Sequence, residues 1–157
     1  AKRLQDDPVA HFVLVGQGDE VPLIEAAIAE ETESNVTYLP PVDQEEYLEM
    51  LSEADVGLFS LHRDHKMDNI PGKILGYLAC EKPILGSVNP GNDVINLIED
   101  AGAGFVLCNG QDALLVERAE QLLNDSQLRK QMGESGESLL NGTFSTEAAV
   151  AQILKAR

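Results

Sequence analysis

Asp68-Asn69-Ile70-Pro71-Gly72-Lys73-Ile74-Leu75-Gly76-Tyr77-Leu78-Ala79-Cys80-Glu81-Lys82-Pro83-Ile84-Leu85 runs from a polar loop through a helix start and a short apolar helix to a turn and a buried strand. Pro71 presets the helical φ at a first-turn position and forgoes an N–H that would lack an intrahelical partner. Gly72 lets a ligand approach the backbone, and Lys73 sets a cation beside the helix N-terminus. Unpaired N–H groups and a cation at a helix start make an anion site, and phosphate is the usual anion. The phosphates of a nucleotide are expected here.

Working outward, His11-Phe12-Val13-Leu14-Val15 reads as a buried strand closed by the turn Gly16-Gln17-Gly18. Asp19 is expected to cap a helix from Glu20 to Glu33, with Leu23, Ala26, Ala27 and Ala29 mostly on one side. Val36 to Leu39 is a second strand, stopped by Pro40-Pro41. Asp43 caps a helix to about Ser52 that buries Tyr47, Leu48 and Leu51. Asp55 to Ser60 is a third strand, Pro83 to Leu85 a fourth and Gly104 to Leu107 a fifth. Asn89-Pro90-Gly91-Asn92 is a turn, with Asp93 at the start of a short helix. Helices over Gln111 to Asn124, Gln127 to Leu140 and Thr146 to Ala156 complete the chain, with a break at Asp125-Ser126.

Apolar strands alternating with helices imply a parallel sheet covered on both faces, an α/β, Rossmann-like, doubly wound domain. At 157 residues the chain fits one domain with a real core. A hydrophobic content of 43% with 24% charged residues is globular composition, and no apolar run is long enough to cross a bilayer. A net charge of −16 argues against nucleic acid and against direct contact with an anionic membrane. It leaves room for a nucleotide, because Arg63, Lys66 and Lys73 cluster next to the helix start. Cys80 and Cys108 match no metal or redox spacing and read as buried free thiols, which suits a reducing cytoplasm.

The ordered pieces Phe12 to Gly18, Val36 to Val42, Ala54 to Leu58, Pro71 to Ala79, Lys82 to Leu85 and Ala101 to Phe105 resemble the C-terminal, donor-binding half of retaining GT-B glycosyltransferases. The resemblance covers the chain from His11 onward. Within the family it looks most like the bacterial sugar transferases of lipopolysaccharide, O-antigen and capsule assembly, some of which transfer amino-deoxy sugars such as fucosamine. It implies a fragment, residues 1–157, without the N-terminal acceptor domain and the first strand of its own domain. The implied substrate is a nucleotide-sugar donor, a UDP-sugar, with no cofactor and no metal. The implied acceptor is lipid-linked or a glycan, bound through the missing half, which would also carry any attachment to the inner membrane of an otherwise cytoplasmic enzyme.

The family carries two glutamates separated by seven residues, one near the donor sugar and one gripping the ribose. Asp68 falls at the first position, where it would orient a sugar hydroxyl as the catalytic carboxylate. Gly76 falls at the second and offers ribose no side-chain acceptor; inside a helix it costs about 1 kcal/mol against alanine. Between them the family uses backbone N–H groups, here of Asn69, Ile70, Gly72, Lys73 and Ile74, for the diphosphate. Gly16, Gln17 and Gly18 would shape the floor near the phosphates, and Pro41 and Val42 would read the base edge. His62 or His65 is a further candidate for the diphosphate or sugar, and Ser87 to Asp93 for the sugar. Two other readings stay open: a sugar-nucleotide epimerase of the same fold, and a non-enzymatic Rossmann-like binding module, which Gly76 favours.

Overall fold

The computed structural model describes the chain except Asp6, Pro8, Thr32, Glu33 and residues 65–69, 147–149, 151–153 and 155–157. The chain falls into two compact units, Ala1–Glu49 and Met50–Arg157.

In the first unit a 3₁₀ turn, Lys2–Leu4, precedes β1 (Phe12–Val15), α1 (Val21–Glu30) and β2 (Val36–Leu39). The two strands pair in parallel, Phe12 opposite Val36 and Val15 opposite Leu39. Asn35 ties the unit together, its Nδ2 donating to the carbonyls of Leu4 at 3.1 Å and Ala10 at 3.2 Å. α2 (Gln44–Glu53) starts where Asp43 Oδ1 accepts the N–H of Glu46 at 2.9 Å, the cap expected of it.

The second unit alternates β3 (Gly57–Ser60), α3 (Gly72–Ala79), β4 (Ile84–Val88), α4 (Val94–Asp100) and β5 (Gly104–Cys108). It ends in α5 (Asp112–Asn124), α6 (Ser126–Leu139) and a π-helical turn, Leu140–Phe144. The strands lie in the order β3-β4-β5, all parallel. Side chains alternate across a strand. Ile84 and Val88 of β4 therefore join one cluster with Ile74, Leu78, Ile98 and Val106, while Leu85 joins the other with Leu122 and Met132. This burial on both faces is what a parallel sheet flanked by helices requires, and the α/β class is as the alternation predicts.

Several local expectations are corrected. α1 turns Val21, Ile24 and Ile28 inward, whereas Leu23 is exposed and Ala26, Ala27 and Ala29 face solvent. Nearly the whole helix is apolar, so its pattern does not choose a face. Asp19 lies in the turn before the N-cap, Glu20, and makes no cap there. At α4 Asp93 stands at the N-cap, as expected, and Asn92 Oδ1 accepts the N–H of Val94 at 3.0 Å. On α2, Leu51 is buried and Tyr47 half-buried, but Leu48 is exposed. Cys80 and Cys108 are free thiols, half-buried and not buried, because each sits at the end of its element. The helix expected over Thr146 to Ala156 lies mostly outside the described residues.

Candidate functional site

α3 is held from below. Ile74 and Leu78, one turn apart, are fully buried in the larger cluster. The ring of Tyr77 lies against Gly57, where any side chain would collide with it, and its hydroxyl donates to the carbonyl of Leu58 at 2.9 Å. Three side chains on two turns therefore set the pose of the helix on the sheet.

The helix starts one residue later than expected. Pro71 is the N-cap, with φ −57° and ψ 129°, and its carbonyl accepts the N–H of Ile74 at 2.9 Å. Ile74 thus spends its N–H within the first turn. Among the described residues nothing accepts the N–H of Gly72 or Lys73, and no side chain caps the end. A Cβ built on Gly72 would meet nothing within 4 Å. Lys73 is exposed and makes no ion pair among the described residues, and the first turn carries no acidic residue. The macrodipole places partial positive charge at this end, and the lysine adds to it.

Parallel topology puts this end on the side where open α/β sheets generally bind ligands. α3 leaves the carboxyl end of β3 and returns to the amino end of β4, so its N-terminus lies beyond the carboxyl ends of the strands. The same side holds Leu61, whose N–H donates to the carbonyl of Ser87 at 2.8 Å. It also holds Asn92, 3% exposed, whose Oδ1 accepts the N–H of Val94. His62 is exposed, with Nδ1 3.7 Å from Asp64 Oδ2. Ile70 is exposed and Gly76 half-buried, its carbonyl accepting the N–H of Cys80 at 3.1 Å. Asp68 and Asn69, together with His65 and Lys66, lie outside the described residues.

In the first unit the residues expected near the phosphates and those expected at the base edge share one sheet end. Gly16 follows β1 with φ +142°, a conformation that L side chains rarely adopt. Its N–H donates to the carbonyl of Leu39 at 3.1 Å, and its carbonyl accepts from Tyr38 Oη at 2.8 Å. Gln17 and Gly18 are exposed beyond it. Pro41, exposed, and Val42, half-buried, follow β2 at the same end, because the two strands are parallel and in register. An open hollow of about 290 Å³ on this unit is lined by Glu25, Ile28, Ala29 and Tyr38, and contains none of the expected site residues.

Two positioning groups escape sequence reasoning. Tyr38 reads as one more strand residue, and only the register shows its hydroxyl reaching the glycine turn. Asn109 follows β5 directly, and an asparagine between an apolar strand and Gly110 was the one available signal. Among the described residues no group of three or more His, Cys, Asp and Glu is placed to hold a metal ion, and no helix is long and apolar enough to cross a membrane.

Residues 1–139 match the family described as Glycosyl transferases group 1. No curated protein matches the chain significantly. Among solved structures it is similar to WaaG, a glycosyltransferase involved in lipopolysaccharide biosynthesis, at 19% identity over 88% of this chain and 35% of that one, with a TM-score of 0.65. It is similar to a mutant of S. aureus TarM in complex with fondaparinux, alpha-GlcNAc-glycerol and UDP, at 16% identity over 97% and 30%, with a TM-score of 0.77. Sucrose-phosphate synthase from Thermosynechococcus elongatus is similar at 17% identity over 99% and 39%, with a TM-score of 0.76. At such identities the likeness is one of fold, and the chain spans less than two fifths of the length of each of these proteins.

Proposed function

The chain belongs to the group 1 glycosyl transferases, and from that membership we propose that it binds the nucleotide part of a UDP-sugar for retaining transfer to a lipid-linked or glycan acceptor in cell-surface polysaccharide assembly. The observation that carries the reading is the start of α3. Two N–H groups with no acceptor and a lysine with no ion pair among the described residues, and open space above Gly72, stand on a helix fixed by Ile74, Leu78 and Tyr77. Such donors act on charge that grows on a leaving diphosphate as its bond to the anomeric carbon breaks, and being fixed they need no reorganisation. UDP in the TarM complex and the lipopolysaccharide role of WaaG support the choice of donor and setting.

In this proposal Gly72 and Lys73 take the diphosphate and Asp68 orients a sugar hydroxyl; on the first unit the turn at Gly16 is assigned to the phosphates and Val42 to the base edge. Gly76 leaves the ribose to backbone groups. The test is a titration of the chain with UDP and with uridine, followed by amide shifts. Shifts at Gly16, Val42 and Ile70 to Lys73 are expected with UDP, and a spectrum unmoved at saturating UDP overturns the reading. Lys73→Ala is expected to weaken UDP roughly threefold to tenfold and uridine hardly at all. An equal loss for both ligands removes Lys73 from the diphosphate.

A further inference from the structure

One side chain joins the carboxyl ends of all three strands of the second unit. Asn109 donates its N–H to the carbonyl of Val88 at 2.8 Å. Its Nδ2 donates to the carbonyl of Leu61 at 3.1 Å and to Ser87 Oγ at 3.0 Å. The N–H of Leu61 is already taken by the carbonyl of Ser87. Both backbone groups of Leu61 are therefore pinned, one by β4 and one by Asn109.

The Leu61 carbonyl only accepts, so the amide nitrogen must face it, which sets the orientation of the whole side chain. Its Oδ1 is then buried without a partner among the described residues. An unpaired buried acceptor is unfavourable, and an apolar side chain would close the sheet end without one. What asparagine adds is the pair of donors. Leu61 is the first residue after β3, and the chain from it to Pro71 carries Arg63, Lys66 and Asp68 and delivers the first turn of α3. Ile74 and Leu78 hold the far end of that segment in the core, while Leu61 is its near end.

We propose that Asn109 is a positioning residue for the diphosphate end of the donor, acting through Leu61 on the segment that leads into α3; this rests on the reading that the α3 N-terminus receives the diphosphate. UDP and uridine are titrated into the chain and into Asn109→Ala, with amide spectra followed throughout. The variant is expected to keep the amide positions of Ile98 and Leu122, to shift those of Leu61 and Ile70 to Lys73, and to bind UDP roughly threefold to tenfold more weakly with uridine within about twofold. A folded variant that binds UDP as the native chain does overturns the proposal, as does an equal loss for UDP and uridine. A native chain whose Gly72 and Lys73 amides ignore UDP instead overturns the donor reading itself. If Asn109→Ala does not fold, Ser87→Ala removes one acceptor and keeps the Leu61 contact. It is expected to lose UDP affinity roughly twofold, and no UDP-specific loss overturns the proposal.

Discussion

The two units carry the turns assigned to the proposed site in different ways. In the second, Ile74, Leu78, Ile84 and Ile98 are wholly buried, and the helix that offers Gly72 and Lys73 stands on them. In the first, only Leu4 and Ala10 are buried among the described hydrophobic residues, and the Gly16 turn is held by hydrogen bonds from Tyr38 and to Leu39. Charge stabilisation depends on donors that stay put, and burial is the firmest way to hold a helix end. A turn that only shapes the floor of a site needs less rigidity. The contrast also has a stability meaning, since segments with few buried apolar contacts open most readily.

The strongest way to break this contrast is to truncate one leucine in each unit. Leu78→Ala removes a fully buried side chain under the proposed phosphate site and is expected to cost about 2–5 kcal/mol. Leu23→Ala, at a position 68% exposed, is expected to change stability by no more than about 0.5 kcal/mol. Urea unfolding followed at the amides of β4 and of β1 measures both. Comparable losses from the two substitutions would remove the distinction between a sealed unit and an open one.

Much of this arrangement is legible in the residues. The strand order in the chain, the Pro71 helix start to within one residue, the Asp43 cap and the break at Asp125, whose Oδ1 accepts the N–H of Leu128 at 2.8 Å, follow from local chemistry. Such signals are carried by residues within a turn of one another. What stayed hidden spans the sheet. Asn109 acts on Leu61, 48 residues away, and Tyr38 on Gly16, 22 residues away, so both depend on strand register. The inward face of α1 was obscured for another reason: Val21, Leu23, Ile24, Ile28 and three alanines leave no polar side to mark the outside. The half-exposure of Cys80 and Cys108 reflects frayed burial at element ends, which apolar runs do not reveal.

Tyr38→Phe sharpens the comparison with a smaller effect. It deletes one hydroxyl and leaves the ring, so the Gly16 carbonyl loses its donor at 2.8 Å. A net hydrogen bond is worth about 0.5–1.5 kcal/mol, and this carbonyl is only half-buried, so the lower end is expected. Exchange at the Gly16 and Gly18 amides is expected to quicken. UDP is expected to bind roughly twofold more weakly, while uridine is hardly affected, because the glycine turn is assigned to the phosphates. An equal loss for uridine would assign the glycine turn to the nucleoside instead of the phosphates.

The smallest effect expected is electrostatic and belongs to the first unit. Lys2 Nζ lies 2.9 Å from Glu31 Oε1, joining the 3₁₀ turn to the end of α1. The hydrogen bond and charge of Glu31 raise the Lys2 pKa above its ordinary 10.5, and those of Lys2 lower the Glu31 carboxyl below its ordinary 4.5. A depressed carboxyl contributes stability above its unfolded value and loses it as pH falls through the folded one. A raised amine contributes below its unfolded value and loses it as pH rises through the folded one. The pair therefore contributes fully between pH 4.5 and 10.5 and fades outside that window. Both groups are solvated, so Lys2→Met is expected to lower the melting temperature only slightly, and the difference is expected to vanish near 1 M salt, where the Debye length is about 3 Å. A loss that persists in high salt would mean that the lysine stem packs against the 3₁₀ turn, and that the first unit owes more to apolar contact than its exposed strands suggest.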